Sequence, residues 1–391
     1  MRFVRYTSGL WLLVSFLISI FLITGVGGSY LAAADNENPD LGLTAKACIL
    51  IEASTGRVIY EQNADEHMYP ASTTKMMTAV LALENLSLHT DITVSPRAAN
   101  TESSPLGLRP GDHIDAENLL TGMLTVSDNG AAVVVAERID GNVPDFARRM
   151  NEKAQEIGMS DTHFVNPNGL YDPNHYSTAH DIARLARYAM TNEKFRSMVH
   201  NSSQQVVWTY PRKMNTFENT NKLLGHYEGI NGIKTGWTEA SGGCLAASAR
   251  RNGIELIAVV MGTPEPDDRF SDARKLLDYG FEHVKLVKGM DKDRMQKRVL
   301  VADGTSMLTD VHPQSDITYP LLHGESKSHY SLCYDLPAIL DAPVKKNQRV
   351  GNVLVQYDGH TVKKVPLVAD PVPKGFSLGS WLVNLFRPLF T

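Results

Sequence analysis

The chain has 391 residues, with 38 basic and 43 acidic side chains and a formal net charge of −5. That balance argues against a nucleic-acid partner, for which a basic patch is expected, and the length suffices for a large core divided into two domains. Three cysteines, Cys48, Cys244 and Cys333, are too few for a disulfide-built scaffold.

In chain order, Arg2 and Arg5 precede an almost wholly apolar stretch at 10–26, and Ala32-Ala33-Ala34 stands before Asp35. This pattern predicts an export signal over residues 1–34, with an uncleaved membrane anchor as the alternative. Either way the bulk of the chain is expected outside the cytoplasm. CILIEASTGRVIYE reads as two strands around a Ser-Thr-Gly turn. Residues 72–85 have helical character, and Asp115 caps a helix over 116–125. A polar break, SDNG, separates this from the apolar helix AAVVVAERI, and Pro144 opens a further amphipathic helix. FVNPNGLYDPNHYST is rich in turn formers and is expected to be an ordered loop before the helix DIARLARYAM. His175, His180 and Asp181 near it are read as structural. From Gly229, INGIKTGWT, GGCLAASAR and ELIAVVMG read as neighbouring antiparallel strands, and a helix at 268–284 closes the domain. Cys48 and Cys244 lie in such apolar runs and are read as buried small hydrophobes.

Helices held between an N-terminal hairpin and C-terminal strands predict an α+β domain with an antiparallel sheet over 40–284. Residues 285–370 predict a small all-β domain, with Asp358-Gly359 as a hairpin turn, serving as a spacer or partner contact. At the end, 376–390 place Leu378, Trp381, Leu382, Leu385, Phe386 and Leu389 on one helical stripe. Fifteen helical residues rise about 22 Å, too short to cross about 30 Å of hydrocarbon. The expectation for 374–391 is an amphipathic helix lying in a membrane surface, flanked by Lys374 and Arg387; docking on the protein's own core is the alternative.

Three short motifs carry the chemistry. Ser72 and Lys75 share one helical face with Met76, Ala79 and Leu83, and no other charge occurs before Glu84. A lysine buried there loses charge stabilisation, its pKa falls, and the neutral amine can take the proton of a nearby hydroxyl. Ser72 also lies at a helix N-terminus, whose free N–H groups can support an oxyanion. The alternative is an ordinary N-cap and a solvated lysine. Ser127-Asp128-Asn129 interrupts two apolar helices, and Lys234-Thr235-Gly236 lies in a strand with a glycine where close approach is needed. A helix–helix turn and a protective edge lysine explain each of these alone. All three in this order match the Ser-x-x-Lys, Ser-Asp-Asn and Lys-Thr-Gly set of penicillin-recognising serine enzymes.

The runs PASTTKMMTA, SDNGAAVVVAE, NPNGLYDPNHYSTAHDIARLA, GINGIKTGWT and LLDYGF resemble the D-alanyl-D-alanine carboxypeptidases of the penicillin-binding protein 5 type, over nearly all of residues 40–391. The resemblance implies Ser72 as the acylated nucleophile, Lys75 as its base and Ser127 as the relay to the leaving amine. It implies Asn129 on the substrate amide and Lys75, and Lys234 with Thr235 on the terminal carboxylate beside Gly236. The backbone N–H groups of Ser72 and Trp237 would form the oxyanion hole, Arg269 a second carboxylate partner or a surface cation, and Asp128 a brace for its loop. No metal or cofactor is implied. The expected substrates are peptidoglycan stem peptides ending in D-Ala-D-Ala, with β-lactams as covalent inhibitors. Two rivals share the motifs. A β-lactamase needs a carboxylate to activate water, and NPNGLYDPNH offers Asp172 but no glutamate. A penicillin sensor would acylate without turnover.

Overall fold

Residues 39–292, 294 and 297–389 are described by a computed structural model; the predicted export signal at 1–34 lies outside them. The N-terminal hairpin Ala47–Glu52 and Val58–Gln62 joins the three later strands in one antiparallel five-stranded sheet. Its order is 58–62, 47–52, 254–263, 242–251, 230–238. The first strand of this sheet pairs with the last in sequence, Cys48 opposite Val260 and Leu50 opposite Ala258.

Both faces of this sheet are covered, which is why its strands read as continuous apolar runs rather than alternating ones. Ile49, Ile51, Ile257, Val259 and Met261 point to one side and pack in the larger core with the helical layer. Their neighbours Cys48, Leu50, Leu256, Ala258 and Val260 point to the other, against Ala273, Leu276 and Leu277 of the helix Asp268–His283. Cys48 and Cys244 are fully buried and unpaired, as read from their apolar runs, whereas Cys333 is exposed. The helical layer contains Lys75–Asn85, Ala116–Val126, Asn129–Asp140, Val143–Glu156 and Ala179–Ala189. Asp115 caps the second of these by accepting from Asn118 N at 2.8 Å.

One expectation about the nucleophile segment needs correction. Ser72 does not begin an α-helix; Ala71–Thr74 form a 3-10 turn that runs into the helix at Lys75. Residues three apart eclipse in a 3-10 turn, which sets Ser72 and Lys75 in line more closely than α-helical geometry does. The sequence reading also omitted the helix Glu193–Val199 and the hairpin of Ser203–Trp208 with Lys213–Glu218, whose polar and exposed positions carry little periodicity.

Beyond Val284 the chain is β-structured apart from short helical turns and the C-terminal helix. A six-stranded sheet contains the long hairpin Gln348–Tyr357 and His360–Ala369. Asp358 and Gly359 both have positive φ at its turn, +46° and +83°, as a two-residue primed turn requires. Arg57 ties this domain to the first. Its guanidinium pairs with Glu325, donates to Tyr330 Oη at 3.0 Å and stacks 3.6 Å over the Tyr357 ring. The C-terminal helix is shorter than expected, Leu378–Leu385, followed by a 3-10 turn at Arg387–Leu389. Ser380 donates to Gly304 O at 2.7 Å and Val383 is buried, so one side docks on the β domain. Phe376, Leu378, Trp381, Leu382, Leu385 and Phe386 remain exposed. Among the described residues no helix is long and apolar enough to cross a membrane.

Candidate active site

The three motifs meet at one cleft of about 760 Å³, lined by Ser72, Ser127, Asn129, Thr235, Gly236, Trp237 and Arg269 together with residues of three loops. Lys75 and Lys234 are fully buried behind residues that line it, Lys75 against Ser72 and Lys234 next to Thr235. Each motif arrives from a different element, and backbone geometry explains each arrival. Ser127 ends its helix in the left-handed region at φ +63°, an uncommon conformation for a residue with a side chain. Asp128 caps the next helix by accepting from Ala131 N at 2.7 Å, and its second oxygen accepts from Leu106 N at 2.8 Å. Burial pushes this carboxyl up from its usual range; its role is to brace the 104–108 loop against the helix. Strand Ile230–Thr238 is the sheet's edge, so one row of its backbone groups faces the cleft. Gly236 allows that edge to approach: a Cβ there would lie 2.9 Å from Ser72 N.

Lys75 Nζ lies 2.8 Å from Ser72 Oγ, 2.6 Å from Asn129 Oδ1 and 2.7 Å from the Asn168 carbonyl oxygen. Burial pushes its pKa down to about 7, partly opposed by Asp128. A neutral amine has two N–H donors and one lone pair. Asn129 Oδ1 and Asn168 O can only accept, so they take both donors and leave the lone pair aimed at the Ser72 hydroxyl. Lys234, with no carboxylate partner among the described residues, donates to Thr235 O at 2.9 Å. Burial, then Lys75 and Arg269, push it well below the usual lysine range. Thr235 Oγ1 lies 2.6 Å from Thr220 Oγ1. Arg269 donates from Nη1 to Gly236 O at 2.6 Å, while its buried Nε has no partner among the described residues.

Sequence reasoning missed Asn168 and Thr220. Asn168 acts through its main-chain carbonyl, which no side-chain pattern announces; the NPNG turn was the one available sign. That turn is built by Asn166, whose side chain accepts from Gly169 N at 2.7 Å and donates to Leu170 O at 2.9 Å. His175 lies behind the site. Its Nδ1 accepts from Val165 N at 3.2 Å, which leaves Nε2–H to donate to Thr74 Oγ1 at 2.9 Å. Burial lowers its pKa to about 4, so it is neutral and clamps the loop to the nucleophile turn. Asp181 is structural: its carboxylate accepts from Asp161 N and Thr162 Oγ1, and His180 pairs with Asp65.

A serine backed by a buried, depressed lysine beneath a sheet edge defines an active-site-serine hydrolase of the penicillin-recognising class. The chain belongs to the D-alanyl-D-alanine carboxypeptidase family, which matches residues 33–265; residues 281–372 match the C-terminal domain of penicillin-binding protein 5. It is 30% identical to D-alanyl-D-alanine carboxypeptidase DacF of Bacillus subtilis, across 95% of this chain and 98% of that protein. It is 33% identical to DacA of Haemophilus influenzae, across 89% and 91%. Among solved structures, penicillin-binding protein 5 from Haemophilus influenzae aligns at a TM-score of 0.62 and 30% identity, covering 85% of this chain and 98% of that one. The ampicillin-bound penicillin-binding protein D2 of Listeria monocytogenes aligns at 0.56 and 31%, covering 62% and 100%.

Proposed function

We propose that this protein is a serine DD-carboxypeptidase that removes the terminal D-alanine from peptidoglycan stem peptides. The observation that carries the reading is the buried Lys75 amine, 2.8 Å from Ser72 Oγ and held by two groups that can only accept, Asn129 Oδ1 and Asn168 O. Lys75 takes the Ser72 proton as Oγ attacks the penultimate D-alanine carbonyl. The N–H groups of Ser72 and Trp237 hold the resulting oxyanion. The C–N bond then breaks, and the Lys75 proton passes through Ser127 to the departing amine of D-alanine. Water, deprotonated by Lys75, attacks the acyl ester and frees the shortened peptide with Ser72 restored.

Asn129 holds the substrate amide and Lys75. Lys234, Thr235 and Arg269 receive the terminal carboxylate; its charge opposes the burial that depresses Lys234 and restores the ammonium. A β-lactam would acylate Ser72 through its strained amide. The β-lactamase and sensor alternatives are not favoured, since relatives bearing carboxypeptidase names match nearly the whole chain, the β domain included.

The test is the pH dependence of penicillin acylation. With the base titrating near 7, the second-order rate is expected to fall about tenfold per pH unit below that value and level off above it. A rate that is flat from pH 5 to 8 contradicts a neutral-amine base.

The exposed apolar side of 376–386 supports an extracytoplasmic enzyme held at a membrane surface by this helix, with the β domain as a stalk. Removal of residues 374–391 is expected to abolish sedimentation with anionic phospholipid vesicles while leaving acylation intact. Equal sedimentation of both forms contradicts the anchor.

A further inference from the structure

The two acceptors that hold Lys75 are anchored differently. Asn129 opens a helix, and its Nδ2 donates to Glu102 O at 3.0 Å. The Asn168 carbonyl belongs to the NPNG loop, whose internal hydrogen bonds shape the loop without placing it on the nucleophile helix. Asn166 Oδ1 accepts from Asn168 N at 3.3 Å and Gly169 N at 2.7 Å, and Asn168 Oδ1 accepts from Leu170 N at 3.1 Å. His175 ties the far end of this segment to Thr74. The carbonyl next to Asn168 is tied by another residue.

Thr78 is fully buried, and its Oγ1 donates to the Pro167 carbonyl at 2.5 Å. A threonine inside a helix commonly returns its hydroxyl to the carbonyl three or four residues back. Thr121 does so in this chain, donating to Glu117 O at 2.7 Å. Thr78 reaches across to the loop instead. Residues three apart share a helix face, so Lys75 and Thr78 grip the successive carbonyls of Asn168 and Pro167. Peptide groups are planar, so only the two backbone dihedrals of Asn168 separate these carbonyls. Holding Pro167 O therefore holds Asn168 O, whether Lys75 is an amine or an ammonium.

We propose that Thr78 is a positioning residue for the proton transfer. Its hydroxyl keeps the Asn168 carbonyl against Lys75 Nζ and keeps water from the amine while the lysine takes up and passes on the Ser72 proton. The role rests on the reading of Lys75 as the general base. Thr78 does not line the cleft, so it acts through the loop and not on the substrate. Without the hydroxyl, the buried Pro167 carbonyl loses its donor, and the loop shifts toward water that can satisfy it. Burial is the largest cause of the low Lys75 pKa, so water admitted beside the amine favours the ammonium. Losing the Asn168 carbonyl acts the other way, but the entering water accepts the same hydrogen bond, so relief of burial sets the sign.

The test is the pH profile of penicillin acylation for the full chain and three variants. Thr78→Val keeps the shape and removes the hydroxyl, Thr78→Ala removes it without overpacking, and Thr78→Ser retains it. Asp128, Lys234 and His175, the titratable groups that act on Lys75 through space, are unchanged in all three. The midpoint of the acid limb is expected near pH 7 in the parent and in Thr78→Ser. In Thr78→Val and Thr78→Ala it is expected about one pH unit higher. Their acylation is then about tenfold slower at pH 6 and within about twofold of the parent above pH 9. A variant that is only less stable is slowed by a similar factor at every pH. Hydroxyl-free variants with the parent midpoint, or a Thr78→Ser midpoint displaced as far as theirs, overturn the role of Thr78 alone. A parent rate that is flat from pH 5 to 8 overturns the base reading and this role with it.

Discussion

Lys75→Ala is expected to lower acylation of Ser72 by penicillin at least about a thousandfold while the chain remains folded. Removing a general base costs roughly 10²–10⁴ in rate, and here the same amine also hands the proton onward, so the loss falls toward the larger end. The fold survives because two effects oppose each other. The substitution leaves Asn129 Oδ1 and Asn168 O without their donor, at about 1–3 kcal/mol each. It also removes an amine whose burial is costly enough to depress its pKa to about 7. Lys75→Arg is expected to be equally inactive, since a guanidinium remains charged and cannot accept the proton. Stopped-flow acylation with a fluorescent penicillin, alongside circular dichroism, measures both halves. Near-normal acylation by either variant contradicts the assignment of the base.

Gly169→Ala is expected to be the most damaging alanine substitution among the described glycines. Gly169 has φ +83°, and a Cβ there would fall 1.8 Å from Ala71 O and 2.9 Å from Thr74 Oγ1. The NPNG loop must therefore move away from the nucleophile turn, and it takes the Asn168 carbonyl away from Lys75. A loss of roughly 3 kcal/mol in stability follows from the overlap and the left-handed backbone, and about a hundredfold in acylation from the misplaced amine. Gly158→Ala supplies the control. That residue has φ +82° with nothing within 4 Å of a Cβ, so only the backbone term, about 1 kcal/mol, is expected, with acylation unchanged. Thermal unfolding and acylation rates of the two variants separate overlap from backbone strain. Equal behaviour would remove the loop from the account of the site.

Much of this architecture was legible before the structure because single residues had one physical explanation. Lys75, the first charge of an apolar segment, was either a buried base or a solvated first-turn lysine, and it is fully buried. The SDNG break between two apolar helices had to turn the chain, and Asp128 caps the helix after it with one oxygen while the other braces the 104–108 loop. The strands of the central sheet were readable because both faces are buried, so they appear as unbroken apolar runs bounded by turns. What escaped the sequence shares another trait. The Ser203–Glu218 hairpin is largely exposed, so no periodic pattern marks it. Asn168 contributes a carbonyl that every residue has. The 3-10 turn at Ala71–Thr74 depends on the φ of +47° at Ala71, and that conformation is stabilised by the surrounding loop and strand rather than by alanine itself. The C-terminal helix is shorter than the apolar stripe suggests, because Pro388 stops a regular helix that the stripe alone would extend.

The most direct test of the central claim is D-alanine release from a D-Ala-D-Ala pentapeptide by the chain beside its Ser72→Ala variant. The account predicts stoichiometric, repeated release by the parent and none by the variant. Release that persists without the Ser72 hydroxyl, or a parent chain that binds penicillin covalently yet frees no D-alanine, would contradict it.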